Sequence, residues 1–294
     1  MHRCHRFLDA IRPEAIRPEA KRGYRWQRCT VLAVAIGFVP PATAENRAHA
    51  DESPRSILVS GATPERAALI AAHAEATRLA IFARLLDTPT PPAWAPRCVI
   101  HVHDDAASFA AAVGAPPIAA RGATSIEFVG DRASLRRIDV MGDRGATIPD
   151  SLDHELVHVV LADHFTAAPP PRWADEGLAM LFDSVEKQLG HEADFETAVA
   201  HGQTWRTRDL MTVDPHPADT ARLRIFYGQS AALVRWLIAK EGAATFIAFL
   251  DDAERIGPGR ALTARYGFES PDELDRRRVS VPPVAWHAAS VRAP

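Results

Sequence analysis

Two histidines and a glutamate lie close together near the middle of the chain, in the pattern H-E-x-x-H at 154–158. His154 and His158 are four residues apart, so on an α-helix both imidazoles project from one side, one turn apart. Two imidazoles placed in this way can bind one zinc ion, and the adjacent Glu155 can reach a water molecule on that ion without binding the ion itself. The pattern alone is only moderately specific, because an amphipathic helix with two surface histidines also produces it.

A second acidic segment follows a triple proline, and Glu176 lies within it in the run R-W-A-D-E-G-L-A at 172–179. The two motifs together resemble those of the gluzincin metallopeptidases, in particular the peptidase MA-like families. In those families a helix with H-E-x-x-H is followed by a helix with a W-x-x-E-G-x-A-like motif, which supplies the third metal ligand. The resemblance extends over roughly 120–280 and implies that Glu176 completes a zinc site with His154 and His158.

The resemblance also implies a reaction. Zinc held by two histidines and a carboxylate keeps a position open for water and lowers the pKa of that water toward about 7. Glu155 then acts as the general base, taking a proton as the water attacks a peptide carbonyl and passing it to the leaving amine. In related gluzincins a downstream tyrosine or histidine stabilises the oxyanion, and Tyr227 is the candidate here, the alternative being a tyrosine packed at a helix start. Asp175 is a candidate to hydrogen-bond a ligand histidine, the alternative being a solvated carboxylate.

His164 is a rival third ligand, because it follows the second histidine of the motif by six residues, the spacing used by metzincins. That arrangement requires the chain to break sharply at a glycine, which adopts positive φ at little cost. Leu161 occupies the corresponding position, and a leucine is poorly suited to it. We therefore expect His164 to be a polar residue near the end of a helix.

Other histidines and acids carry weaker signals. His101 and His103 share one face of a predicted strand and could chelate a metal, but the exposed face of a half-buried strand explains them more simply. Glu127 could bind a substrate amine as in aminopeptidases, although the glycine-rich exopeptidase signature of that group is missing. No spacing that favours metal binding surrounds His191, His201 or His216.

The elements that must position these residues divide the chain into two parts. Strands are predicted at 56–59, 97–103, 124–129 and 135–141, with helices at 63–86 and 104–113 between them, as an N-terminal α/β subdomain at 56–147. A helical catalytic subdomain follows at 148–280, with helices at 149–164, 172–184, 191–201, 220–240, 243–254 and 271–278. We therefore expect an α+β, zincin-like fold with the zinc between the subdomains. Strand 124–129 could pair with an extended peptide substrate.

The ends of the chain differ from this body. Three arginines precede an apolar run at 31–39, which leads to Pro40, Pro41 and the small-x-small tripeptide that ends at Ala44. This arrangement predicts a signal peptide at 1–44 and export to the periplasm or the outside of the cell. The run is too short to span a bilayer comfortably, so no stable membrane span is expected after cleavage, although an uncleaved segment would tether the protein. A linker at 45–55 and a loose tail at 281–294 flank the body.

Composition sets the remaining limits. Apolar residues make up 47% of the 294 residues and charged residues 24%, which is typical of a globular protein. The formal charge of −3 argues against a nucleic-acid partner. Cys98 alone would remain after cleavage, so no internal disulfide is expected. The sequence thus predicts a zinc metallopeptidase acting on peptides or proteins, the alternative being a non-catalytic zincin-like binding or scaffolding module of the cell envelope.

Overall fold

The chain folds into a mixed α+β structure with one small sheet and many helices. A computed structural model describes residues 56–114, 120–142, 147–215 and 219–277. The predicted signal peptide, linker and tail lie outside the described residues. The elements in chain order are β1 (Ile57–Ser60), α1 (Pro64–Leu86), β2 (Cys98–His103), α2 (Ala106–Val113), β3 (Gly122–Val129), β4 (Arg132–Met141), α3 (Leu152–His164), α4 (Arg172–Met180), α5 (Val185–Ala200), α6 (Thr207–Leu210), α7 (Thr220–Glu241), α8 (Ala243–Ile256), α9 (Pro258–Tyr266) and α10 (Pro271–Arg277).

The sheet has four strands in the order β1-β2-β4-β3. The first three run parallel, and β3 pairs antiparallel with β4 at one edge. All four strands had been predicted from alternation, but β3 and β4 each start earlier than predicted. β4 starts earlier because pairing continues up to the tight turn at Gly130, which has a φ of 65°. β3 starts earlier because Gly122 and Ala123 also pair with β4, at the far end of the hairpin.

The two faces of the sheet differ in chemistry. Cys98, Ile100 and Val102 are buried on the face against which α1 and α3 pack. The side chains of β2 that alternate with them project from the other face, which α2 partly covers. The expectation that both histidines of this face are exposed is wrong for His103, which is only 4% exposed, because Phe109 of α2 packs edge-on against its ring.

The helix ends follow local capping chemistry. Thr63 accepts a hydrogen bond from the Arg66 amide and Pro64 occupies the first turn of α1, as the sequence predicted. Asp105, rather than Asp104, caps α2. The predicted helix at 172–184 is in fact shorter, because α4 ends at Met180 and Ser184 then caps a new helix that begins six residues earlier than expected.

The second half of the chain is built around α7, against which both α4 and α5 pack. Gly177 makes the closest approach: a Cβ at this position would lie 2.5 Å from a methyl group of Val234 and 2.8 Å from the carbonyl oxygen of Ser230. Glycine therefore allows α4 to lie directly on α7. Within the described ranges, no helix is both long and apolar enough to cross a membrane.

Candidate metal centre

The two motifs meet in space where α3 packs on α4. One ligand atom each from His154, His158 and Glu176 lies within 4.8 Å of the others. The imidazole centroids of the two histidines are 5.0 Å apart, and Nε2 of His154 is 3.5 Å from a carboxylate oxygen of Glu176. Two imidazole nitrogens and a carboxylate oxygen form a donor set that suits a borderline dication such as zinc.

His164 does not join this cluster. The helix α3 continues without a break to His164, so the sharp turn that a metzincin-like ligand requires is missing. The His164 side chain instead lies 3.5 Å from the carboxylate of Asp251 on α8, at the end of the helix where the sequence placed it.

In each cluster histidine, Nδ1 forms a hydrogen bond with an aspartate carboxylate. His158 Nδ1 lies 3.0 Å from Asp175, the contact that the sequence had left open. His154 Nδ1 lies 3.3 Å from Asp183, which the sequence analysis had missed. Because a carboxylate only accepts, both Nδ1 atoms donate and both Nε2 atoms remain for a ligand. Both aspartates are buried, so the two rings are fixed in tautomer and orientation.

Acidic side chains surround the two imidazoles and raise their pKa values. Burial opposes protonation of His158, but the nearby Asp175 carboxylate raises its pKa to about 9. Burial likewise opposes the charged form of His154, yet hydrogen bonds to Asp183 and Glu176 raise its pKa well above the usual value. The pKa of Glu176 falls to about 2 against the effect of burial, through its hydrogen bond to His154 and the charge of His158. The cluster thus favours positive charge, and a bound cation would replace the two protons.

Glu155 follows His154 directly on α3, and its side chain packs against the edge strand β3. Its side chain is buried, and Thr124 of β3 donates a hydrogen bond of 2.7 Å to one carboxylate oxygen. A Cβ on Gly122 would lie 2.5 Å from the other oxygen, so glycine at this position leaves room for the carboxylate. Strand β3 therefore both orients Glu155 and places a sheet edge beside it.

A group of polar side chains approaches from the helical side. Arg172 Nε lies 3.7 Å from Glu176, and Arg172 Nη2 donates to the Tyr227 hydroxyl at 3.5 Å. His191 Nε2 is 3.8 Å from Asp183, and the His191 ring centroid is 6.4 Å from that of Tyr227. Tyr227 lies well inside α7 and not at a helix start, so that alternative for its packing is wrong.

Three residues of this neighbourhood were not predicted from the sequence, Thr124, Arg172 and Asp183, and a fourth, His191, had been set aside. Arg172 stands in the second motif, where its spacing of four residues from Glu176 was the available signal. Thr124 lies on β3, Asp183 in the turn before α5 and His191 within α5, and no short-range pattern connects them with α3. Comparison with protein-family models, curated proteins and solved structures found no match. The resemblance to gluzincins therefore rests on the two sequence motifs.

Proposed function

We propose that this protein is a zinc-dependent metallopeptidase of the gluzincin type with a zincin-like fold. The observation that carries the proposal is the convergence of His154, His158 and Glu176, with Glu155 beside them. The first three would hold the ion. Zinc bound there would polarise the scissile carbonyl and acidify a water molecule. A purely structural site has no use for a buried carboxylate next to its ligands, so Glu155 favours catalysis over scaffolding.

The roles of the protein groups follow from where they lie. Glu155 accepts a proton from the attacking water and transfers it to the leaving amine, while Thr124 keeps its carboxylate in one orientation. Asp175 and Asp183 hold the ligand imidazoles. Tyr227 stabilises the developing oxyanion, and Arg172 positions its hydroxyl.

The position of β3 supports an extended peptide or protein as the substrate. This strand is at the edge of the sheet, with β4 as its neighbour on one side. An extended peptide can add to such an edge through main-chain hydrogen bonds, with its side chains pointing alternately to the two sides. Because Glu155 touches β3 at Thr124, a peptide on that edge would pass close to the general base.

The test is a Glu155→Gln variant, which keeps the side-chain shape and removes the base. We expect zinc content and folding close to the wild type, while hydrolysis of a peptide library falls by about 10²–10⁴-fold. Glu196→Gln, which changes an exposed glutamate of α5 in the same way, is the matched control and should keep full activity.

Two results would refute the proposal. Undiminished hydrolysis by Glu155→Gln would show that the assigned base is wrong. A wild-type protein that holds zinc but cleaves no peptide of the library would favour the non-catalytic binding module.

A further inference from the structure

A second pair of histidines lies on the outer face of the sheet, away from the metal cluster. His101 and His103 are two residues apart on β2, so both project from the same face. Their ring centroids are 4.4 Å apart, with the ring planes at 64°. The pair stands at the carboxyl ends of the parallel strands, where polar side chains from β1 and β4 also converge.

His103 has one nitrogen engaged and one free. Its Nε2 lies 2.8 Å from Asp139 of β4, and both groups are buried. Arg137 donates to both oxygens of Asp139, so this carboxylate is the acceptor of the contact with His103. The proton of a neutral His103 therefore sits on Nε2, and Nδ1 carries a lone pair. Within the described residues this Nδ1 is buried and has no hydrogen-bond partner, an arrangement that calls for a bound water or ion.

In His101 the roles of the two ring nitrogens are reversed, because Nδ1 is the one with a hydrogen-bond partner. Its Nδ1 lies 2.8 Å from the hydroxyl oxygen of Ser60 on β1. The Ser60 hydroxyl is also 3.5 Å from the carbonyl oxygen of Ile100, to which it can donate its own proton. Ser60 then accepts from His101 Nδ1–H, which leaves the lone pair on Nε2.

A methionine stands beside this pair in the sheet. Met141 of β4 is the cross-strand partner of His103, so it stands on the same face, and it is half-buried. The end of β4 is fixed beside the pair, because the Gly142 amide donates to the carbonyl oxygen of His103 at 2.7 Å. Two imidazole nitrogens and a thioether sulfur form a donor set softer than the helix cluster, which contributes a carboxylate oxygen instead.

We propose that His101, His103 and Met141 form a second metal site, which binds copper. Imidazole nitrogens bind Cu(II) more tightly than the other divalent first-row ions, and thioether sulfur favours Cu(I), so this set suits copper in either oxidation state. Asp139 and Ser60 tether the two rings from behind, as the outer partners of metal-binding histidines do. The proposal stands on its own residues and does not depend on the peptidase assignment.

The experiment separates the two sites by variants of the full chain. In a His154→Ala/His158→Ala background, one equivalent of Cu(II) should still bind per chain, with nitrogen coupling from two imidazoles in its EPR spectrum. Adding His101→Asn should weaken that binding by at least the roughly 100-fold that loss of an outer-shell partner can cause. His201→Asn, which removes an exposed histidine at the end of α5, should leave it unchanged.

His2, Cys4 and His5, near the start of the chain, can also bind copper. The result is therefore judged from the difference in copper binding between variants. If the His154→Ala/His158→Ala variant folds poorly, His101→Asn is made alone in the otherwise unchanged chain. That variant should bind one Cu(II) equivalent fewer than the wild type. Met141→Leu preserves volume and should weaken Cu(I) binding more than Cu(II) binding. Copper binding that is unaffected by His101→Asn, or no binding in either background, would overturn the proposal. Zinc loss at the helix site would not affect this result.

Discussion

Two histidine pairs lie within the described residues, one on a helix and one on a strand, and each uses the period of its own element. On α3 the imidazoles are four residues apart, and on β2 they are two residues apart. In both pairs each ring has a hydrogen-bond partner at one of its nitrogens. The helix pair also lies beside the carboxylate of Glu176, because α4 packs directly against α3. The spacing within each element brings the two imidazoles together, and the neighbouring elements supply the other polar groups.

The two pairs also differ in charge. Four carboxylates surround the helix pair, namely those of Glu155, Asp175, Glu176 and Asp183, and the pKa values of both its histidines are raised. Beside the strand pair, the carboxylate of Asp139 forms an ion pair with Arg137, and burial lowers the pKa of His101. A charge-rich oxygen environment favours a dication such as zinc, whereas a neutral nitrogen and sulfur environment favours copper.

Removing the third ligand should abolish the difference between the pairs. Glu176→Ala would leave the helix site with two imidazoles, and we expect its zinc affinity to fall by more than about 100-fold, beyond the effect of losing an outer-shell partner. Competition with a chromophoric chelator measures this. His164→Ala is the control and should bind zinc normally. The opposite pattern would assign the third ligand to His164 and refute the gluzincin-like arrangement.

Removing a tether tests the feature that the two pairs share. Asp183→Asn should weaken zinc binding by about 10–100-fold, and Asp175→Asn by a similar factor, because each frees one ligand imidazole to rotate. Asp153→Asn is a matched control on the same helix, since Asp153 bonds His73 and faces away from the cluster. If the zinc affinities of all three variants were alike, the carboxylates behind the rings would have no role in binding.

Glu155, the proposed general base, is oriented by a hydrogen bond from the edge strand β3. Thr124→Val keeps the side-chain shape and removes the hydrogen bond to Glu155. Loss of one such bond is worth about 0.5–1.5 kcal/mol, so kcat should fall by up to roughly tenfold with zinc content unchanged. Steady-state kinetics on a peptide substrate provide the measurement. A change in KM alone would assign Thr124 to substrate binding instead.

The histidine–aspartate pair of His73 and Asp153 shows what such a contact contributes away from the proposed metal sites. The hydrogen bond to Asp153 raises the pKa of His73, which is about half-exposed. A raised pKa stabilises the fold below pH 6.5, and this contribution is lost as the pH rises through the folded-state value. His73→Asn should therefore lower the free energy of unfolding more at pH 5.5 than at pH 9, by less than about 1 kcal/mol because solvent screens the pair. Urea unfolding of the chelated proteins at both pH values provides the test, and an equal loss at both would contradict it.

The sequence by itself determined the features that depend on local period. Alternation and capping residues located the four strands and most helices, and the four-residue spacing placed His154 and His158 on one side of a helix. The second motif indicated Glu176 because it resembles a known pattern. The sequence did not predict α6 or α9, and the start of α5 was expected six residues too late. Ser184 caps α5 soon after α4 ends, and Pro258 begins α9 soon after α8 ends.

Only the tertiary structure decided which distant side chains meet the cluster. Thr124 reaches Glu155 across 31 positions of sequence, and Asp183 reaches His154 across 29. Helix and strand periods fix the direction of a side chain relative to its own element and carry no information about which element packs beside it. That choice depends on the summed burial of many contacts, including the close approach of α4 to α7 at Gly177. The same packing buried His103, which local alternation alone had placed in solvent.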